Sequence, residues 1–181
     1  MPLKFTMGAA LILATSAIAA NAQPDGFHLG PLIEEFGPVA TIEGREPIPA
    51  DAEFKVSFDV VDAAEPGELN RSFVAGARFL NMHAEAGVAP ENINLAFVIH
   101  GTAVHDVTRD AHYEVVTGSP NANRALIEQL TENGVSVQVC GQSAAYHGVE
   151  TEDLLPGVTM SLSAMTAHAL LQQDSYTLNP F

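Results

Sequence analysis

The stretch "VSVQVCGQSAAYHG", Val135 to Gly148, holds the only cysteine of the chain and decides how the rest is read. Val135, Val137 and Val139 alternate with Ser136, Gln138 and Cys140, the period-two pattern of a strand. Gly141 follows at once, and Ser143-Ala144-Ala145-Tyr146 can open a short helix. A strand that gives way to a helix at a glycine is the joint of a strand-helix-strand unit.

The same alternation extends outward in both directions. Phe54 to Val61 is rich in strand formers, and Ile93 to Ile99 is a nearly continuous apolar strand. Between them, Pro66 to Ala86 carries Leu69, Phe73, Ala77, Leu80 and Ala84 at helical spacing before Gly87. Ser119-Pro120 reads as an N-cap and first helical position, with Leu126, Ile127 and Leu130 on one face and Asn133-Gly134 as the stop. Downstream come a strand over Val158 to Leu162, a helix over Ala164 to Gln172 and a short strand over Tyr176 to Leu178. Strands that alternate with helices of this length imply crossover connections. The expected fold is a three-layer α/β/α sandwich with a mostly parallel sheet, over residues 52–181.

Two segments precede that domain. Lys4 is the only charge before Asp25, an apolar run spans Met7 to Ala20, and Ala20-Asn21-Ala22 is a small-x-small cleavage pattern. Residues 1–22 therefore read as a signal peptide, shorter than a membrane span, with Gln23 as the mature start and a periplasmic or secreted location. Residues 23–51 form an arm punctuated by Pro24, Pro31, Pro38, Pro47 and Pro49 and by Gly26, Gly30, Gly37 and Gly44. No stable helix is expected there. Its Leu32, Ile33, Phe36, Val39 and Ile42 suggest that it lies on a surface, its own or a neighbour's.

Composition narrows the partners. With 7 Lys+Arg against 22 Asp+Glu, the formal charge of −15 repels phosphate backbones and anionic headgroups, so neither nucleic acid nor membrane is expected. An exported chain with one cysteine cannot form an internal disulfide, so Cys140 is either sheltered or kept for its chemistry.

Placement favours chemistry. In parallel α/β sheets, ligands gather outside the carboxyl ends of the strands. Val98-Ile99-His100-Gly101 and Val139-Cys140-Gly141-Gln142 both lie at such ends. The N–H groups of Gly141, Gln142 and Ser143, at a helix start, would favour a thiolate. The expected site is thus Cys140 and His100, with Gly101, Gly141, Gln142 and Ser143 around them and the sulfur partly accessible.

Six pieces in order resemble the exported single-domain branch of the DsrE-like family. They are "FKVSFDV" from Phe54, "RFLNMHAEAGV" from Arg78, "FVIHG" from Phe97, "VCGQS" from Val139, "DLLPGV" from Asp153 and "SAMTAHALLQQDSYTLNPF" from Ser163. The resemblance implies an α/β/α fold with a five-stranded parallel sheet and homo-oligomers built from trimers, either trimer or hexamer. It also implies a sulfur relay, in which a cysteine after the third strand, here Cys140, carries a persulfide. The sequence departs from the family at Ser175, where a glycine usually precedes the last tyrosine, and in its export, since those relay relatives work in the cytoplasm.

Chemically, a Cys140 thiolate could take the outer sulfur of a persulfide or polysulfide and pass it to a protein or small-molecule acceptor, with His100 accepting the thiol proton or pairing with the thiolate. Two other readings stay open. One is a non-catalytic oligomeric binding module with an inert Cys140. The other is a metal site that would draw on Cys140, His100, His105 and His112, beside Asp106 and Asp110; His147 reads as a solvent-facing side chain. No HExxH or paired CxxC spacing supports a metal, so none is assigned, and the stretch "HGTAVHDVTRDAH" reads as a polar loop. There is also no P-loop, no GxGxxG after a strand and no Ser-His-Asp signature, so no cofactor is expected.

Overall fold

The structure is a computed structural model that describes residues 25–49 and 51–180. The expected leader, residues 1–22, lies outside the described residues. The arm makes a small hairpin of β1 (Phe27–His28) and β2 (Val39–Ala40). The domain then runs β3 (Phe54–Val60), α1 (Arg71–Glu85), β4 (Ile93–Ile99), α2 (Asp110–Thr117), α3 (Arg124–Glu132), β5 (Ser136–Cys140), α4 (Gly141–His147), β6 (Val158–Ser161), α5 (Ala164–Gln173) and β7 (Thr177–Asn179).

The five strands form one fully parallel sheet in the order β6-β5-β4-β3-β7. The alternation of side chains explains its two different faces. Phe54, Val56, Phe58 and Val60, with Leu95, Phe97, Ile99, Val137 and Val139, build the main core together with Phe73, Ala77 and Leu80 of α1 and Leu126, Ile127 and Leu130 of α3. The opposite face carries smaller and more polar residues. Ala96 and Val98 pack there against Ala167 and Leu171 of α5. Register puts Gln138 beside Val98 and Thr159, and Cys140 beside Ser161, on that second face. The expected three-layer sandwich and parallel sheet are both present.

Three boundaries differ from the sequence-based expectation, each for a local reason. The first helix starts at Arg71 rather than Pro66, because Asn70 takes the N-cap and its side chain accepts the Ser72 N–H. The helix expected from Ser119 starts at Arg124. Asn121 and Asn123 are held in a buried hydrogen-bond network instead, in which Asn121 donates to the carbonyls of Asp106 and Thr108. The supposed loop 101–112 is a 3-10 segment, Gly101–Val107, followed by α2.

The arm lies on its own domain. Ile33 is fully buried and Val39 nearly so. Asn81 of α1 replaces a strand partner for this proline-rich backbone: its Oδ1 accepts the Leu32 and Ile33 N–H groups, and its Nδ2 donates to the carbonyls of Ile33, Phe36 and Gly37. Ser175 has φ 68°, the only positive φ among described non-glycine residues. The left-handed turn that a glycine would make at no cost is therefore retained with a serine, at a cost of about 1–2 kcal/mol.

Candidate functional site

Cys140 ends β5 and is the N-cap residue of α4. Gly141 is necessary at the next position. A Cβ there would sit 2.8 Å from the Ser161 carbonyl oxygen and 3.3 Å from that of Leu162. The β6–α5 connection thus closes over the start of α4. The closure brings the first residue of α5 to the sulfur, so that two helix starts converge on one atom.

The groups that face Cys140 Sγ are the Ser143 N–H and hydroxyl and the N–H groups of Ala164 and Gln142. None of them makes a short capping bond to the side chain. They act as aligned dipoles that favour negative charge on sulfur. Burial pushes the Cys140 thiol up, but the Ser143, Ala164 and Gln142 donors outweigh it and hold the thiol below its usual range. Ser143 is itself oriented, since its Oγ accepts the Gly101 N–H at 3.1 Å. Gly101 has φ +57° and meets the Val61 carbonyl where a Cβ would stand, which lets β4 turn tightly beside the sulfur. Gln142 sends its side chain to the Leu162 carbonyl at 3.3 Å, so only its N–H serves the cysteine.

Cys140 is 6% exposed, less than the partial access that its position suggested. The two helix starts that would stabilise a thiolate also cover it. Tyr146 of α4, Leu162 of the β6–α5 connection and Met165 of α5 are largely exposed.

His100 stands next to Cys140 in register, one residue beyond the paired Ile99 and Val139. Its ring is anchored on β3. Nε2 reaches Asp59 Oδ1 at 3.0 Å, and the same oxygen is 2.8 Å from Nε2 of His168 on α5. Asp59 and His168 were not legible from sequence spacing, because they come from different ends of the chain and meet only across the second face.

Three other histidines gather elsewhere. His105 stacks on His112 at 5.7 Å between centroids and meets the edge of His147 at 5.1 Å. His112 Nδ1 lies 3.3 Å from Asp153 Oδ2. Burial first, then His147 and His112, holds His105 below the usual imidazole range. These rings therefore pack as a cluster rather than facing solvent, contrary to the expectation for His147. Among the described residues, no three His, Cys, Asp or Glu side chains are grouped as a metal ion would need. Asp106 and Asp110, beside these histidines in sequence, also serve structure: Asp106 is fully buried, and Asp110 accepts the Asn121 N–H. A concavity of about 850 Å³ lies beyond the end of β3, lined by Asp62, Glu65, Glu68 and Asn70 among others, and Cys140 is not part of it.

The model of the DsrE/DsrF-like family matches residues 55–180. Among solved structures, a protein of unknown function from Methanobacterium thermoautotrophicum, MTH1491, is similar at 19% identity, over 70% of this chain and 98% of its own, with a TM-score of 0.54. The ychN protein from E. coli is similar at 16% identity, over 70% of this chain and 99% of its own, with a TM-score of 0.44. No curated protein matches the chain.

Proposed function

Because the chain belongs to the DsrE/DsrF-like family, we propose that it is an exported sulfur carrier that holds sulfane sulfur as a persulfide on Cys140. The family is associated with sulfur relay. The observation that carries the reading is the convergence of the Ser143, Ala164 and Gln142 N–H groups on one sulfur. A persulfide terminus is an anion larger than a thiolate, and donors at two helix starts suit both forms. In this reading Cys140 is the nucleophile, Gly141, Gln142, Ser143 and Gly101 shape the anion site, and His100 works beside it. The donor is a persulfide or polysulfide, free or on a partner protein, and the carrier is a homo-oligomer in the periplasm or outside the cell.

Intact-mass spectrometry of the exported protein, before and after polysulfide exposure, tests this. The wild type should begin at Gln23 and gain whole sulfur masses, reversibly with a thiol reductant. Cys140→Ser should gain none while keeping the wild-type fold by circular dichroism. Equal loading of the variant would place the sulfur elsewhere and reject the reading.

The 6% exposure of Cys140 favours a second reading, a binding module in which the thiol is inert. Native protein that resists alkylation at every pH until it unfolds would establish that reading instead.

A further inference from the structure

On the second face of the sheet, one carboxylate oxygen holds two imidazoles beside the cysteine. An ionised Asp59 can only accept, so Nε2 of both His100 and His168 must carry the hydrogen. That leaves Nδ1 of each ring as the nitrogen that exchanges protons. The two differ in access. His168 is 18% exposed, and its Nδ1 is buried without a partner. His100 is 29% exposed, at the carboxyl end of β4. His168 also lies one helical turn after Ala164, whose N–H faces Cys140. It therefore anchors α5 on Asp59 and sets where that N–H points, while His100 stays open to a ligand.

The spacing puts a leaving sulfur within reach of His100. In an in-line exchange, the leaving sulfur stands two S–S lengths from the attacking one, about 4 Å. Neighbouring strands are about 4.8 Å apart. A residue beside Cys140 on the next strand can therefore reach the leaving sulfur. The backbone donors, and not His100, already hold Sγ.

We propose, resting on the persulfide-carrier reading, that His100 is the acid that protonates the departing thiolate of the sulfur donor, with Asp59 and His168 as its positioning residues. The Cys140 thiolate attacks the outer sulfur of a persulfide R–S–SH. The Sγ–S bond forms, the donor's S–S bond breaks, and its electron pair leaves on RS⁻. The imidazolium of His100 gives its Nδ1 proton to RS⁻, and RSH departs. The proton that Cys140 lost beforehand restores the imidazolium, so Cys140–SH and R–S–SH become Cys140–S–SH and RSH. The titratable groups around His100 are Asp59 from β3 and His168 from α5, which share one oxygen, and Cys140, its neighbour in register on β5.

An acid for the leaving group matters only when that group leaves poorly. Cys140 is therefore reacted with an aryl disulfide, whose thiolate needs no proton, and with glutathione disulfide, whose thiolate does. His100→Gln and Asp59→Asn should slow glutathione disulfide about 100-fold, at the low end for acid catalysis, and leave the aryl disulfide within about twofold. Asp59→Glu should recover part of the loss. His168→Gln should slow both reagents, because it moves the Ala164 N–H. Equal slowing of both reagents by His100→Gln, or slowing of neither, would overturn the inference while leaving the nucleophile intact. A wild-type thiol inert to both reagents removes the carrier reading and this inference with it. Nitrogen NMR of the wild-type protein gives a check without substitution: neutral His100 should be the Nε2–H tautomer, and the Nδ1–H tautomer would overturn the inference.

Discussion

At the scale of single residues, the chain places polar atoms where no periodicity announces them. Asp106 is fully buried; its Oδ2 accepts the Ala64 N–H at 2.8 Å and Asn70 Nδ2 at 2.7 Å, while Oδ1 has no partner. Burial raises its carboxyl above the usual range, and the Asn70 and Ala64 donors offset this only in part. A carboxyl raised in the fold binds more protons folded than unfolded. Its contribution is therefore favourable on the acid side and is lost as pH rises from about 4, the ordinary carboxylate range, through the raised value. Asp106→Asn keeps an acceptor for both donors and removes this loss. Its stability relative to wild type should increase with pH in urea melts between pH 4 and 7. Asp106→Ala should cost about 2–4 kcal/mol near pH 4, because it strands two buried donors, and less as pH rises. Parallel pH profiles for wild type and Asp106→Asn would show that the carboxyl stays ionised in the fold. Cys140 was legible by contrast, because a lone thiol after a strand and before a glycine is a distinct pattern. His168 was not, since one histidine on an amphipathic helix has no pattern of its own.

At the scale of elements, strands were easier to place than helix ends. The strand Ile93–Ile99 follows from a hydrophobic run that only a doubly covered sheet can bury, and Phe54–Val60 from period-two alternation of strand formers. Helix starts turned on hydrogen bonds that the local sequence does not reveal. Ser119-Pro120 offered a good cap, but the chain spends Asn121 and Asn123 on tying loops together and delays α3 to Arg124. The 3-10 segment Gly101–Val107 was missed because its three-residue period matches neither the strand nor the α-helix template. The arm is the sharpest case. Its apolar residues were legible, but its anchor was not, because Asn81 interrupts the apolar face of α1 and counts against burial. Five arm backbone groups bond to that one amide. Asn81→Leu should leave several of them unpaired and cost about 2–4 kcal/mol, felt mainly in the arm. Hydrogen exchange should speed up at the Leu32 and Ile33 amides and stay slow in β4. Undiminished protection of the arm would mean that the burial of Ile33 and Val39 holds it without the amide.

At the scale of the whole molecule, charge and exposed apolar surface are segregated. From Leu154 to Gln173 the chain has no Asp, Glu, Lys or Arg, although its formal charge is −15. Within and near that segment Leu162 is 73% exposed, Met165 80% and Leu170 61%, with Tyr146 at 85% on α4 beside Cys140. Depletion of charge with enrichment in Met and aromatic residues marks the centre of a protein interface rather than ordinary surface. The arm covers its own α1. The proposed homo-oligomer would then form through the β6–α5 edge, next to the cysteine. Its response to salt follows from the charge. Copies that each carry −15 repel over about 30 Å at 10 mM salt and about 8 Å at 150 mM, whereas burial of Leu162 and Met165 is little affected by such screening. Association should therefore tighten as salt increases, the reverse of pairing driven by opposite charges. Light scattering at micromolar concentration should show a larger mass at 150 mM than at 10 mM salt. Leu162→Asp combined with Met165→Asp should give the monomer at both, with the fold intact by circular dichroism. An oligomer that survives both substitutions would move the interface away from this edge. A monomer at every salt concentration would leave the exposed apolar edge to a different partner, such as the protein that delivers or collects the sulfur.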